Sequence, residues 1–190
     1  RDAKYDWSKP VDGSISATAW QGYHTADESV HIYNPQNGWL QNCNSTPFTV
    51  AGKYSPKKTD YAAYLAPDGE NFRGINTVRV LDEEKKYNLD KVIKAGYDTR
   101  LAAFEVLLPA LINIYENKLN KSDTAYLQLK DVMAVLKKWN YHSAENSVAT
   151  TLAVTWGEKL LPLMAKIKDK GDQVEVAKYF AANATTDELV

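Results

Sequence analysis

Asn42 and Asn44, separated by one residue, are side chains whose type and spacing could serve catalysis. A side-chain amide offers N–H donors without a net charge, which suits an oxyanion developing on a reacting carbonyl. If both asparagines lie in a β-strand, they share one face of it with Leu40, because alternate residues of a strand point the same way. Asparagine also satisfies backbone groups in turns, and spacing alone favours this turn role over the catalytic one.

A hairpin of two strands is the element that would position these asparagines. Residues 30–33 and 39–44 are rich in strand formers, and the Asn37-Gly38 dipeptide between them favours a tight turn. Pro47 ends the second strand, because proline cannot donate to the ladder. The sequence therefore predicts both asparagines near the end of the second strand.

Composition narrows the class of protein and its partners. The chain has 190 residues with 44% hydrophobic and 25% charged residues, which is ordinary for a globular domain or a domain with an appendage. Its net charge of -1 gives no reason to expect a nucleic acid or an anionic membrane as partner. No apolar run approaches the roughly 20 residues that span a bilayer. A single cysteine, Cys43, excludes an internal disulfide.

Irregular structure is expected on both sides of the hairpin. Residues 1–29 show no sustained period of 2 or 3.6, so they predict an extended arm. Trp7, Trp20 and Tyr23 in this arm are large apolar groups, which we expect to pack on a neighbouring surface. Residues 49–72 form a long connection rich in turn residues, of a kind that is often functional.

Helices dominate the remaining sequence. Asn88 is a suitable N-cap for a short helix ending near Gly96, and Ser122 and Ser143 are expected to begin two later helices. Pro109 lies inside the first long helix and should kink it. Apolar residues recur at helical spacing on these predicted faces: Ile75, Val78 and Leu81; Leu101, Phe104, Leu107, Leu108, Leu111 and Tyr115; Tyr126, Leu129, Val132, Met133, Leu136 and Trp139; Val148, Leu152, Trp156, Leu160 and Leu163.

The end of the chain should be partly ordered. A polar break at residues 168–171 precedes a last short helix at 174–182, and residues 185–190 are polar and expected to fray. The chain thus divides into an arm, hairpin and loop segment over residues 1–87 and a helical segment over 88–190. The overall class is α+β.

Other catalytic arrangements find little support in the residues. His24, His31 and His142 fall in unrelated segments without the paired spacing of a metal site. A hydrolase built on Cys43, His142 and Asn140 has no local motif behind it. Cys43 is expected to behave as a small buried hydrophobe.

The run N-P-Q-N-G-W-L-Q-N-C-N-S-T-P-F at residues 34–48 resembles a segment of the penicillin acylase family. In that family the segment reads Asn-Pro-x-Ser-Gly, then Trp or Tyr, Ile or Leu, and x-Asn-x-Asn. The likeness continues through A-P-D-G-E-N-F-R at 66–73, R-V-L at 79–81 and Y-N-L-D at 87–90. It is weaker around residues 136–140 and 153–156. The family includes penicillin, acyl-homoserine lactone and aculeacin-type acylases, which are N-terminal nucleophile hydrolases.

The resemblance implies roles for two residues. Asn44 matches the asparagine whose amide forms half of the family's oxyanion hole, and Arg73 matches an arginine that supports the active site and orients that asparagine. The family's nucleophile is an N-terminal serine of the mature β chain, whose α-amino group is the base. That serine lies well upstream of this segment, and Arg1 cannot replace it. The resemblance therefore predicts an internal β-chain fragment of an αββα amidohydrolase, inactive by itself.

The resemblance also implies partners and a location. We expect the rest of the β chain and the α chain as partners, a small acyl amide as substrate, and a periplasmic or secreted enzyme. No cofactor is required for the chemistry, and a structural calcium ion is compatible with the family, with Asp60 and Asp68 as candidate ligands. The connection between Asn44 and Arg73 is longer than in penicillin G acylase, and Asn140 stands where the family often has Asp.

Two other hypotheses remain open at this point. The aromatic residues between positions 5 and 64 could form a carbohydrate- or peptide-binding face without catalysis. The chain could also be a structural helical domain without any site. An open strand edge beside apolar residues would in addition favour self-association through the first 50 residues.

Overall fold

The computed structural model describes residues 2, 4–167 and 169–190, so that Lys168 of the predicted polar break lies outside the described residues. These residues form seven α-helices: α1 Phe72–Glu83, α2 Leu89–Gly96, α3 Ala103–Asn117, α4 Thr124–Leu136, α5 Val148–Met164, α6 Gln173–Asn183 and α7 Thr186–Leu189. The predicted helical segment is confirmed, whereas the division at residues 87 and 88 stays a prediction. No helix of the described residues has the length and apolar character needed to span a membrane.

Helix α3 is the centre of the core. Its apolar stripe was predicted from the spacing and is buried, with Leu108 fully enclosed and Leu111 only 2% exposed. Helices α5, α6 and α7 pack against α3, and α4 packs against α5. Each large apolar side chain buried in this way contributes about 1.5–3 kcal/mol to folding. The helix runs through Pro109, whose side chain lies on its exposed face.

Two predicted helix starts are wrong. Helix α4 begins after Asp123 instead of Ser122, and α5 begins after Ser147 instead of Ser143. Ser147 accepts the N–H of Thr150 and so satisfies the first turn of α5. Ser143 instead continues the pairing around the Arg100–His142 bridge, since its N–H donates to the carbonyl of Thr99 at 3.0 Å. The pairing of residues 99 and 100 with residues 142 and 143 therefore accompanies a later start of α5 than the local signals predicted.

The predicted core positions hold with one clear exception. Val148 is 63% exposed, because it is the first residue of α5 and lies outside the packed face. Trp139 follows α4 and is nevertheless buried, with its ring centroid 5.5 Å from that of Phe104. Its indole N–H donates to the carbonyl of His142 at 2.9 Å. The loop after α4 is thus held by the core.

The expected fraying of residues 185–190 is wrong. Thr185 and Glu188 form a reciprocal capping box at the start of α7. Leu189 is only 2% exposed, and its carbonyl accepts the indole N–H of Trp156 at 2.9 Å. The polar composition of this segment obscured one apolar residue, Leu189, which attaches the end of the chain to α5.

The predicted hairpin is wrong as well. Residues 30–33 and 39–44 form no strands, and the one β-type pairing among the described residues is an isolated antiparallel bridge between Arg100 and His142. The turn between the two segments is present, since the N–H of Gly38 donates to the carbonyl of Pro35 at 2.9 Å. The αββα architecture is accordingly not visible in this chain.

Side chains of the second segment explain why it does not pair. The side-chain oxygen of Gln41 accepts the N–H of Cys43, and that of Asn42 accepts the N–H of Asn44, both at 3.0 Å. Such local bonds compete with a strand ladder for the backbone donors. The N–H of Gln41 donates instead to the carbonyl of Val50. Burial still alternates along the segment, with Gln41 buried and its neighbours on either side exposed.

The arm is irregular, as predicted, apart from a 3-10 turn at Ser16–Thr18. Trp7 is half-buried and packs locally against Tyr5, whereas Trp20 and Tyr23 are 79% and 91% exposed and are not covered by this chain. Residues 1 and 3 lie outside the described part. The long connection that follows residue 46 contains three more 3-10 turns, Pro47–Thr49, Gly52–Tyr54 and Lys58–Asp60.

Candidate active site

Asn44 and Arg73 lie together in the structure, although 29 positions separate them in the sequence. Asn44 is in the loop after the Gly38 turn, and Arg73 is the second residue of α1. The guanidinium Nη2 of Arg73 donates to Oδ1 of Asn44 at 3.3 Å, and both side chains are exposed. The tertiary structure thus brings together the two residues that the resemblance singled out.

This contact determines which way the Asn44 amide faces. A guanidinium has only donors, so the atom of Asn44 that faces it must be the carbonyl oxygen. The amide nitrogen therefore points away from Arg73. None of the hydrogen bonds among the described residues uses Nδ2 of Asn44, so that its two N–H groups remain for an external acceptor.

The start of α1 is joined to the Asn44 loop by Asn71. Its Oδ1 accepts the N–H of Gly74 at 2.9 Å, which makes Asn71 the N-cap of the helix. Its Nδ2 donates to the carbonyls of Cys43 and Asn44, at 3.0 and 3.2 Å. One side-chain amide therefore contacts both the loop and the helix of the candidate site.

A glycine allows α1 to approach the loop this closely. A Cβ at Gly74 would lie 2.5 Å from Oε1 of Glu70 and 2.7 Å from Oγ of Ser45. Gly74 is also the one buried residue of α1. The first turn of the helix therefore rests directly on the residue that follows Asn44.

The helical segment holds this arrangement through Asp172. This residue caps α6, and its Oδ2 also accepts the N–H of Glu70 at 2.8 Å. Gly69 lies so close that a Cβ on it would be 2.3 Å from Cβ of Asp172. The carbonyl of Gly69 in turn accepts the N–H of Thr46 at 3.0 Å. Contacts thus run from α6 through residues 69 and 70 to the Asn44 loop.

Two cavities flank the site. A cavity of about 780 Å³ lies between α1, α2 and the start of α3, and Arg73 and Cys43 are on its wall. Its lining is mostly apolar and includes Trp39, Phe72 and Phe104. A smaller pocket of about 440 Å³ is lined by residues 41, 42 and 44–47 together with positions 30, 50, 66 and 68. Asn44 belongs to the smaller pocket and Arg73 to the larger one.

A polar cluster at the rim of the larger cavity ties α1 to α3. Burial raises the pKa of Asp98, but hydrogen bonds from Asn76 at 2.8 Å and from the N–H of Arg100 at 3.1 Å outweigh it and lower the pKa overall. Glu105 accepts from both Arg79 and Arg100. These bonds fix the rotation of α1, the helix that carries Arg73.

Metal and cysteine chemistry receive no support from the described residues. They contain no group of three or more His, Cys, Asp or Glu that could hold a metal ion, and Asp60 and Asp68 are both exposed. Calcium binding stays a prediction. Cys43 is half-buried and lies 3.2 Å from the hydroxyl of Thr77. His142 instead contacts Thr99 and Arg100.

Sequence reasoning missed three residues that build this site: Asn71, Gly74 and Asp172. A local signal existed for Asn71 and Asp172, since each is an N-cap residue directly before a helix. Nothing local indicated that both also bind the site loops. The need for glycine at position 74 depends on contacts with Ser45, which only the folded chain reveals.

Comparison with known proteins agrees with the residue pattern. The family model described as penicillin amidase matches residues 1–188, which is nearly the whole chain. No solved structure matches the chain at a significant level. The match runs through the Asn44 loop, α1 and all but the last two residues of the helical segment. The chain therefore belongs to the penicillin amidase family.

Proposed function

We propose that this chain supplies the oxyanion-binding part of an acylase that hydrolyses an acyl amide bond. The family supports amide hydrolysis as the reaction class. Asn44 is the proposed oxyanion donor and Arg73 its support. The attacking group is the N-terminal residue of the mature β chain, outside these 190 residues, and its own α-amino group accepts the proton.

Attack on the amide carbonyl moves an electron pair onto the carbonyl oxygen. The N–H of Asn44 Nδ2 donates to this oxygen and stabilises the tetrahedral intermediate. The α-amino group then passes this proton to the leaving nitrogen, the intermediate expels the amine, and water hydrolyses the resulting acyl-enzyme. Asn44 acts in both steps, because each passes through a tetrahedral oxyanion.

The contact between Arg73 and Asn44 is the single observation that carries this proposal. It occupies the oxygen of the amide and leaves the nitrogen as donor. A donor oriented before the reaction requires little reorganisation when charge develops. The positive charge on the oxygen side also polarises the amide and strengthens its N–H groups as donors.

Substitution of Asn44 tests the proposal in the intact enzyme. We expect Asn44→Ala to lower kcat by about 10²–10³, with a much smaller change in KM, because a donor used in the transition state is lost. Steady-state kinetics on an acyl amide substrate measure both constants. A variant that keeps more than half of the wild-type kcat would exclude this role.

Asn140→Ala is the matched control. Asn140 is also exposed, and its Oδ1 accepts a backbone N–H two residues on, that of His142 at 3.1 Å. The substitution removes the same type of local bond far along the chain from the site. We expect kcat to stay within about twofold of wild type, as for most surface changes away from special features. A large loss of kcat in Asn140→Ala would instead favour the hydrolase built on Cys43, His142 and Asn140.

The proposal extends to the surroundings of the site. The remaining β chain and the α chain would be the partners, and a small linear acyl amide the substrate. The chemistry needs only protein groups and water. A periplasmic or secreted location is consistent with the family and stays a prediction.

A further inference from the structure

We propose that Asn71 is the positioning residue that holds Asn44 and Arg73 in their mutual geometry. The inference rests on the proposed function, because it gives Asn71 a role through the oxyanion donor. Asn71 itself would touch neither the substrate nor the reacting atoms. Its side-chain amide contacts three different backbone groups of the site.

The two donor contacts of Asn71 lie on either side of Asn44. The carbonyl of Cys43 belongs to the peptide group before the Cα of Asn44, and the carbonyl of Asn44 belongs to the peptide group after it. Nδ2 of Asn71 donates to both, at 3.0 and 3.2 Å. Fixing both peptide planes fixes the two backbone dihedrals of Asn44, and therefore the direction of its side chain.

The backbone conformation of Asn44 is one that surrounding contacts help to hold. Its φ is 54°, in the left-handed region that residues with a Cβ seldom occupy. Conformations of this kind persist when surrounding contacts hold them. The N–H of Asn44 is held by Asn42 at 3.0 Å, and Asn71 holds the two carbonyls.

The third contact places Arg73. Oδ1 of Asn71 accepts the N–H of Gly74 and so determines where α1 begins. Arg73 is the second residue of this helix, directly before Gly74. One planar amide thus joins the backbone of the donor to the backbone of its support. This requires two N–H donors and one acceptor in a short side chain, a set that only asparagine offers.

The test compares two N-cap asparagines in the intact enzyme. Asn71→Asp keeps the cap acceptor and removes both donors. Asn88→Asp is the matched control, since Asn88 caps α2 through the N–H of Lys91 at the same 2.9 Å and makes no bond to the Asn44 loop. We expect kcat to fall by about 10- to 100-fold for Asn71→Asp with little change in KM, the size of effect that misplacing a catalytic group produces. The control should stay within about twofold.

A second experiment tests whether Asn71 acts through Asn44. In the Asn44→Ala background, Asn71→Asp should lower kcat by less than about threefold, because two residues that act as one unit are not additive. If the loss of kcat in the double variant equals the product of the losses in the two single variants, the inference is wrong. Equal kcat values for Asn71→Asp and Asn88→Asp would also overturn it.

Asn71→Ser guards against a variant that does not fold. Serine retains an N-cap acceptor but cannot bind both carbonyls, so that it should reproduce the loss of kcat. Failure of both Asn71 variants to fold would show that Asn71 supports the fold instead of the site, and would overturn the inference. If Asn44→Ala leaves kcat unchanged, the proposed function fails and the inference falls with it. If Asn44→Ala is damaging and Asn71→Asp is not, the inference alone fails.

Discussion

At the residue scale, the chemistry of the site depends on the difference between a guanidinium and an ammonium group. Arg73 reaches Asn44 with a planar fork of several donors on a delocalised charge. An ammonium is a compact point charge on a flexible stem, and water competes more strongly for it. The contact is exposed, so that geometry instead of burial must hold it.

The prediction at this scale is that Arg73→Lys impairs turnover without affecting folding. We expect kcat in the intact enzyme to fall by about tenfold, in line with the loss of one hydrogen bond to a charged group. The thermal midpoint should be nearly unchanged, because Arg73 is exposed. Kinetics and thermal unfolding on the same preparation provide both values.

Arg79→Lys offers the opposite pattern as a control. Arg79 lies on the same helix but pairs with Glu105 on α3, at 3.2 Å. Its substitution should lower the thermal midpoint more than kcat. Equal losses of midpoint and kcat in Arg73→Lys would mark Arg73 as a structural residue.

At the element scale, the position of α1 is set at its start and in its middle turns. Contacts through Asp172 and Asn71 hold its start, and the cluster around Asp98 holds its middle turns. Asn76 on α1 donates to Asp98, which lies in the loop between α2 and α3. The candidate site therefore depends on a helix that the loops anchor as firmly as the core does.

Asp98 should make this anchoring dependent on pH. Its pKa in the folded chain is lowered from the ordinary value of 3.8, so its ionised form is favoured by folding. The stabilisation is fully present above the unfolded pKa, and it is lost as the pH falls through the folded pKa. We expect Asp98→Asn to lower stability near neutral pH and to converge with wild type as the pH drops below about 4.

Urea unfolding of wild type and Asp98→Asn from about pH 3 to about pH 7 measures this difference. Asp187→Asn is a suitable control, because Asp187 is an exposed carboxylate on α7, far along the chain from the cluster. A difference between wild type and Asp98→Asn that does not change with pH would show that shape or packing, instead of charge, explains the role of Asp98.

At the scale of the whole molecule, the exposed apolar residues include two groups that lie close together in the sequence. Trp20, Tyr23 and Tyr33 of the first 50 residues are each at least 79% exposed. Helix α2 exposes a further group, consisting of Leu89, Val92 and Ile93, followed by Tyr97. Contiguous exposed apolar residues commonly mark surfaces for other chains. We expect the partner chains of the enzyme to cover these groups.

The 190-residue chain expressed alone should self-associate through its first 50 residues and show no amidase activity. It would hold the proposed oxyanion donor but lack the positioned group that attacks. Light scattering tests the self-association, and an amidase assay on the same sample tests the absence of activity. Replacing Trp20 and Tyr23 by serine should reduce the apparent mass, whereas Leu127→Ser, at an exposed position of α4, should not.

Three results would contradict this picture. A monodisperse monomer that binds a glycan or peptide specifically would favour the binding module. Amidase turnover would require a nucleophile within the chain. Association that is unchanged by the two serine substitutions would place the contact surface outside the arm.

Short-range signals in the sequence determined most of the helical segment. The stripe of α3 and the start of α2 at Asn88 followed from spacing and capping. These features depend on residues three or four positions apart, and such residues meet in a helix whatever the rest of the chain does. The candidate residues Asn44 and Arg73 came from the resemblance, and their catalytic roles stay predictions.

Tertiary structure decided the parts in which distant residues compete for the same backbone groups. Residues 39–44 had a strand pattern, but the N–H of Gln41 donates to the carbonyl of Val50 instead of to a partner strand. Ser143 had a capping signal, but it lies beside the bridge between Arg100 and His142, and the helix begins after Ser147. The approach of Arg73 to Asn44 depends on the start of α1 and on Asp172, about a hundred positions further along the chain. Spacing along a sequence cannot predict such contacts, because the energy that selects them is gained only when the whole chain is folded.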